Sequence, residues 1–570
     1  MNGSDFMRTL KDIKSRNELA DFLGVSRSLL TYVLYVKKTN NFYSHFEIMK
    51  KSGEPRQINA PMGELKDIQK KLADVLYKHQ AEVRITNGIK AIASHGFEKK
   101  KGIITNAAVH KNRKIVINID LEDFFDSFHF GRVVGYFEKN RNFKLPHEVA
   151  IVIAQLACYE GRLPQGAPSS PIITNLICET LDIHLLRLAK KYRLNYSRYA
   201  DDLTFSTNDK NILLKQTEFF EELEKLIEHS GFKINIDKTR IQFKDSRQTV
   251  TGLVVNKKVS VEREYYKRLR AMAHELYTTG SYYIDGEAGT LNQLEGMFSF
   301  VNMIDTYNNQ SGKKRDRWTL NSREKQYQKF LFYKYFFANE TTLIVTEGKT
   351  DIVYIKAALK NLYEYYPTLI EKKKDGSFTF KVSFLNRTKR LGYFFGLGEH
   401  GADAMCNLYD YLVDTGKKNF PNYSKMLQKL SKRQQKTKIV FILDNEQSNN
   451  DKPLAKFLKN IKATGDQKLE LKQNLKLQLG EMLFVITNPL VNGKTECEIE
   501  TLFDEATLSY KYKGKTLSLT DKYDSNKHYG KNTFSKYINA NYQKIDFNNF
   551  KPMLDKIKDI VAIGDISEKK

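Results

Sequence analysis

Two short stretches of the chain place carboxylates where strands end. The segment KIVINIDLEDFFDSF (114–128) opens with alternating apolar residues that finish at Asp120, a pattern that sets one acid at the mouth of a buried strand. About 80 residues later, YSRYADDLTFS (196–206) carries apolar positions on both sides of Asp201 and Asp202, which reads as a β-hairpin with two acids in its turn. Adjacent carboxylates disfavour each other's ionisation unless a cation lies between them. Two divalent ions about 3.5–4 Å apart supply that charge, and they also stabilise the attacking and leaving oxygens of a phosphoryl transfer. A fold that brings Asp120 to the Asp201–Asp202 turn is therefore the strongest constraint in the text.

An acid on one strand and a Tyr-x-Asp-Asp hairpin, here Tyr199-Ala200-Asp201-Asp202, resemble the palm of the reverse transcriptases. Further motifs follow in the family's order. Arg56 and Pro61 of EPRQINAP, with LKDIQ after them, resemble the fingers segment in which a basic side chain meets the incoming triphosphate. LPQGAPSSP (163–171) resembles the loop whose Gln165 packs beside the nucleotide, and GFKINIDKTR (231–240) the motif that sets Lys238 near the leaving pyrophosphate. Phe125 stands where the family has a steric gate that collides with a ribose 2′-OH. The resemblance implies an α+β right-hand polymerase of fingers, palm and thumb, with Mg²⁺ as a two-metal palm cofactor on Asp120, Asp201 and Asp202 and dNTPs as substrates.

Asn106-Ala107-Ala108-Val109-His110 before Asp120, and Val250-Thr251-Gly252 after the palm, resemble hallmarks of the retron branch. Retron enzymes copy part of their own structured non-coding RNA into a small branched DNA (msDNA) with a 2′,5′ linkage to the RNA. On that resemblance Asn106, His110, Thr251 and Gly252 are candidate nucleic-acid contacts. The thumb is expected at about 258–305, where Arg263, Lys267, Arg268 and Arg270 crowd one predicted helix and would track phosphates. Tyr265 and Tyr266 among them either stack on unpaired bases or lie beneath a solvated face.

A second set of acids follows. LIVTEGKTDIVYIKAAL (343–359) reads as a buried strand, a tight turn at Gly348 and a helix, with Glu347 at the strand's carboxyl end and Asp351 near the helix start. KIVFILDNEQSNND (438–451) repeats the pattern with Asp444 and Glu446, and ECEIETLF (496–503) adds Glu498 and Glu500. Acids at the ends of successive strands can converge on one sheet edge and bind Mg²⁺ through oxygen. The E-G-x-x-D and D-x-D-like elements resemble the TOPRIM fold, an α/β domain with a mainly parallel sheet, although Glu446 replaces the second Asp. The EIE-x-LF text and YGKNTFSKYI (529–538), with Lys531, resemble the OLD-family nucleases among TOPRIM proteins. Gly396, Gly398 and Gly401 stand where such domains have a Gly-containing strand and turn. The resemblance implies one or two Mg²⁺ ions and a nucleic-acid target.

The chain of 570 residues is long enough for several cores, and Lys plus Arg exceed Asp plus Glu by 93 to 67, a net +26 that favours a polyanionic partner. Of 23 arginines, 20 precede residue 330. No apolar run is long enough to span a bilayer and the first residues lack a signal core, so a cytoplasmic, bacterial protein without a membrane partner is expected. The four cysteines (158, 178, 406 and 497) form no CxxC pair. The expected domains are an N-terminal helical segment (1–41), the polymerase (42–307), a polar linker (308–337), the TOPRIM domain (338–512) and a Lys-rich C-terminal appendage (513–570). The leading reading joins a retron polymerase to a Mg²⁺-dependent nuclease effector in antiphage defence. Its competitor keeps the polymerase and makes the second half a non-catalytic binder of the RNA–DNA product. A primase- or topoisomerase-like role lacks a separate domain for a nucleophilic Tyr, and homo-oligomerisation stays open.

Overall fold

A computed structural model describes residues 9–49, 53–89, 91–309, 316–398, 402–417, 420–431, 435, 437–446, 451–520 and 522–563. The chain divides into two compact units, residues 1–263 with 304–310, and residues 264–303 with 311–570.

The first unit is built on a four-stranded antiparallel sheet ordered Asn195–Tyr199, Asp202–Thr207, Ile115–Leu121, Ile234–Phe243. The Ile115–Leu121 strand is central because its apolar residues are buried while Asn118 and Asp120 stay half-buried. Behind the sheet, the Gly63–Thr86 and Ser170–Lys191 helices close one apolar core with Leu72, Leu76, Leu181 and Leu185. A two-stranded ribbon, Tyr43–Met49 with Pro55–Pro61, carries the fingers motif. At the N-terminus, Ser26 caps a short helix by accepting from the Leu29 amide.

The second unit contains a five-stranded sheet ordered Ser383–Phe384, Leu343–Thr346, Ile439–Leu443, Leu483–Thr487, Lys476–Gly480. The first four strands are parallel and the last is antiparallel. LIVT, IVFIL and LFVIT are buried at every position, as expected of parallel strands covered on both faces.

Three domain expectations differ from this arrangement. The stretch expected as a linker to 337 contains the Ser322–Phe332 helix and a following π-helical turn to Phe337, and Tyr327, Phe330, Leu331, Phe332 and Phe336 are fully or nearly fully buried. Its polar residues mislead because they are satisfied internally: Gln328 donates to the Phe394 carbonyl at 2.6 Å and accepts from the Tyr423 hydroxyl at 2.6 Å. The C-terminal stretch is core and not an appendage, since Phe534, Ile538, Met553, Leu554, Ile557 and Ile560 are fully buried with Tyr354 and Ile355. The thumb helices fall largely in the second unit, where Phe298 stacks on Tyr327 and Phe330 at 5.4 and 5.0 Å.

Candidate functional site

The antiparallel register sets Asp120 directly opposite Asp202, with the Leu121 amide donating to the Asp201 carbonyl at 3.1 Å. Thus the two acid motifs meet at one end of the sheet. Ala200 turns the hairpin with φ at +55°, a left-handed conformation that costs a non-glycine residue of order 1 kcal/mol. Two features hold it there. The Arg198 guanidinium, fully buried, donates to the Ala200 carbonyl at 3.2 Å and forks onto Asp182 with two bonds of 2.8 Å. On the other side, Gly96 lies so close that an added Cβ would stand 2.5 Å from the Ala200 amide nitrogen. Asn175 locks the two together, donating to the Gly96 carbonyl at 2.9 Å and accepting from Arg198 at 3.2 Å.

Arg198, Asp182, Asn175 and Gly96 were missed in the sequence. The buried Asp at the centre of an otherwise apolar helix face, and an Arg inside a strand, were the available signals.

A cavity of about 1030 Å³ opens beside the turn, and Asp120, Asp201, Asp202, Arg56, Phe125, Gln165 and Lys238 all line it. Lys238 donates to Asp120 at 2.9 Å, and this bond raises its own pKa. The Gln165 carbonyl accepts from the Asn59 amide at 2.9 Å, tying the loop to the fingers ribbon. Gly166 permits this approach, because its φ is +116° and a Cβ would meet Ile58 at 2.8 Å. Phe125 is half-buried, edge-on to Phe124 and Phe97 at 5.5 and 6.3 Å. Asp202 reaches solvent through the cavity yet is hemmed in by protein; desolvation, then Asp201 and Asp120, push its carboxyl up to about 7. Asp201 is raised mainly by desolvation.

The retron-like segments touch one another but do not face the cavity. The Ile103–Val109 helix and Thr251 are joined where the Thr251 hydroxyl donates to the Ile103 carbonyl at 3.2 Å. Asn106 and His110 are fully buried, His110 bonding Ser206 and Ser197 at 2.8 and 2.7 Å and Asn106 accepting from Ser197 at 2.7 Å. Both therefore brace the hairpin strands, which corrects the expectation that they contact nucleic acid. Burial holds the His110 imidazole neutral, its pKa lowered to about 3. Gly252 is exposed beside Thr251 in a turn with φ of +77°.

Arg263, Lys267, Arg268 and Arg270 are exposed on the Arg263–Thr279 helix, with Arg268 paired to Asp285 at 2.8 Å. Tyr265 packs edge-on to Phe300 at 5.9 Å and Tyr266 lies under Arg323 at 4.8 Å, both rings half-buried. Lys267, Arg270 and His274 line a cleft of about 460 Å³ whose other wall supplies Lys329, a cation hidden in the supposed linker.

In the second unit the acids gather at the carboxyl end of the parallel sheet. Asp351 accepts from the Gly348 amide at 2.7 Å, and Asp444 accepts from Asn488 at 2.7 Å and from the Ile499 amide at 2.9 Å. Burial first, and then repulsion from Asp351, pushes Glu347 up to about 7. Asp444 is raised by burial and then by Asp351, Glu347, Glu500 and Glu498. Lys531 bridges Glu498 and Glu500, both at 3.1 Å, while Lys452 holds Glu446 at 2.5 Å. Glu347 Oε2 and Glu500 Oε1 are buried without a hydrogen-bond partner, orphaned oxygens of the kind a hard cation would satisfy. Arg387, half-buried near Asp351 and Glu347 and donating to the Thr346 carbonyl, was missed because no strand-end pattern marks it. Among the described residues, no three His, Cys, Asp or Glu side chains close up on one point tightly enough to hold a metal by themselves. Gly396 caps a helix with φ of +68°, Gly398 lines a separate cavity, and Gly401 lies outside the described residues.

Residues 48–261 match the family model described as reverse transcriptase (RNA-dependent DNA polymerase). The Escherichia coli retron Ec86 reverse transcriptase is 33% identical over 315 residues, covering 54% of this chain and 92% of that enzyme. Two Myxococcus xanthus enzymes, the retron Mx162 and Mx65 reverse transcriptases, are 34% and 31% identical over 52% and 51% of this chain; the matches span 65% and 69% of their own lengths. Since the Ec86 match runs through nearly the whole of that enzyme, the chain belongs to the retron reverse transcriptases, RNA-directed DNA polymerases.

Proposed function

We propose that the first unit copies a cognate structured RNA into msDNA joined 2′,5′ to its template. The observation that carries this reading is the convergence of the seven family-matched residues on one cavity. When bound, two Mg²⁺ ions would neutralise charge on the reacting phosphate and lower the barrier to in-line displacement. Asp120 and Asp201 would hold them, with Asp202 completing the turn. Arg56 would bind the triphosphate and Gln165 would flank the nucleotide. Lys238, now paired with Asp120, would release that carboxylate to a cation and neutralise the departing pyrophosphate. The incoming nucleotide's α-phosphate gains a bond to the primer hydroxyl oxygen, loses its bond to pyrophosphate, and the hydroxyl proton leaves to water. Phe125 would exclude a ribose 2′-OH.

For the second unit the reading is a Mg²⁺-dependent TOPRIM nuclease that serves antiphage defence. Its support is the mutual influence of Glu347, Asp351, Asp444 and Glu500 at one sheet end, with the orphaned oxygens of Glu347 and Glu500. Lys531 would neutralise a scissile phosphate between its two acids. The ion pairs of Lys452 and Lys531 favour a second reading, a binder of the RNA–DNA product that needs no metal. Glu347→Ala and Asp201→Asn variants separate these readings. Asp201→Asn should lose branched DNA. Glu347→Ala should keep DNA synthesis and lose cleavage or cellular toxicity. Branched DNA from Asp201→Asn refutes the polymerase assignment, and an EDTA-insensitive second unit supports the binder.

A further inference from the structure

The cavity between the Ala402–Leu412 and Pro453–Asn460 helices belongs to neither acid centre. It measures about 790 Å³, within the range of small-ligand sites, and none of the sheet-end acids lines it. Its polar groups are arranged in an unusual division of labour. Lys417 ties Asp410 Oδ2 at 2.6 Å and Asn460 Oδ1 at 3.3 Å, leaving the other atom of each side chain, Asp410 Oδ1 and Asn460 Nδ2, buried with no protein partner. Asp410 is only 5% exposed and lines the cavity, as does Asn460. An acceptor and a donor on two residues that line the cavity therefore lack partners within the protein, a state that is costly for buried polar groups.

Arg317 supplies a third unmet group. Its guanidinium lies 4.2 Å from the Trp318 ring centroid and donates to Asn407 at 3.0 Å, while its Nε is buried without a partner. Gly396 makes room for it: a Cβ there would overlap the guanidinium at 1.2 Å. The exposed Lys456 and Lys459, three residues apart on one helix, add two cations at the rim, offset only in part by Asp403.

We propose that this cavity binds a nucleoside phosphate. Lys456, Lys459 and Arg317 take the phosphate, and Asp410 Oδ1 with Asn460 Nδ2 reads a donor–acceptor edge of the base. Two sources carry that chemistry, a free nucleoside triphosphate and the 5′-phosphorylated end of a strand. The site shares no lining residue with either set of acids, so it should work in EDTA.

The chain's single tryptophan, Trp318, stacks on Arg317 and provides the probe. Full-length protein in EDTA is titrated with ATP, GTP, a 5′-phosphorylated dinucleotide or inorganic phosphate, and tryptophan fluorescence is followed. A saturable change with a nucleoside phosphate, weakened roughly tenfold or more in Lys456→Ala/Lys459→Ala, is expected, since charge-assisted bonds are worth about 1.5–3 kcal/mol. Asp410→Asn should reduce discrimination between bases while leaving phosphate binding in place. Tighter binding of the dinucleotide or of the triphosphate identifies the source. Inorganic phosphate matching every nucleotide, or affinities unchanged in the double-lysine variant, overturns the proposal.

Discussion

Burying a guanidinium is costly unless its nitrogens find partners, and all three nitrogens of Arg198 do, through Asp182, Asn175 and Ala200. Tyr196 adds a bond to Asp182 at 2.8 Å, so one carboxylate answers for two buried groups. Asp182→Ala leaves Arg198 charged and unpaired, and urea unfolding should register a loss of about 3–5 kcal/mol. A loss near zero would mean that water reaches the guanidinium freely. Gly96 acts on the same turn from outside. Because the atom a Cβ would strike is a backbone nitrogen, Gly96→Ala must displace the Tyr199–Asp202 turn. A shift approaching 1 Å in catalytic acids costs on the order of 10²-fold. DNA synthesis should therefore fall by roughly 10- to 100-fold with the circular dichroism spectrum unchanged, and wild-type turnover in Gly96→Ala would refute the positioning role.

At the scale of elements, strand-end acids were legible because parallel strands are long apolar runs and a carboxylate interrupts them only at an edge. The same logic failed for the Ser322–Phe332 helix, whose Glu324 and Gln328 look solvated in the sequence and are 2% and 3% exposed in the fold. It failed again for His110, which has the residue type of a contact and the surroundings of a brace between Ser197 and Ser206. Partners more than 60 residues away, such as Tyr393 for Glu324, Phe394 for Gln328 and Ser197 for His110, decide these cases, and local pattern carries no information about them. The sheet-end centre also carries a pH signature. Glu347 titrates near 7 in the fold against an ordinary carboxylate value near 4, so the fold prefers its protonated form. Its contribution is fully present below about pH 4 and is lost as pH rises through 7. A cation that binds the ionised acids reverses that loss. Mg²⁺ at millimolar excess should raise the melting temperature of the second unit by about 2–4 °C more at pH 8 than at pH 6. Glu347→Gln should abolish the difference, and an increment independent of pH would show that these acids do not share the ion.

Over the whole molecule the excess of 26 positive charges has more than one reading, because lysine-rich surfaces also serve solubility. Arginine is unevenly spread, with 20 of 23 before residue 330, and its planar fork suits phosphate recognition better than an ammonium does. The cleft that joins Lys267, Arg270 and His274 to Lys329 gives that charge a shape. Lys329 lies 4.7 Å over the Tyr277 ring, and burial lowers its pKa, so a phosphate there would be met by a poorly hydrated cation. Each phosphate neutralised on a single strand releases counterions and adds about 0.7 to the slope of log affinity against log salt. If Lys267 and Arg270 each engage one phosphate, the double alanine variant should bind a structured RNA with a slope shallower by about 1.4. A variant replacing two exposed lysines that do not line the cleft, such as Lys70 and Lys71 on the Gly63–Thr86 helix, should leave the slope where it was. Equal flattening by both variants would assign the charge to a diffuse field and not to the cleft.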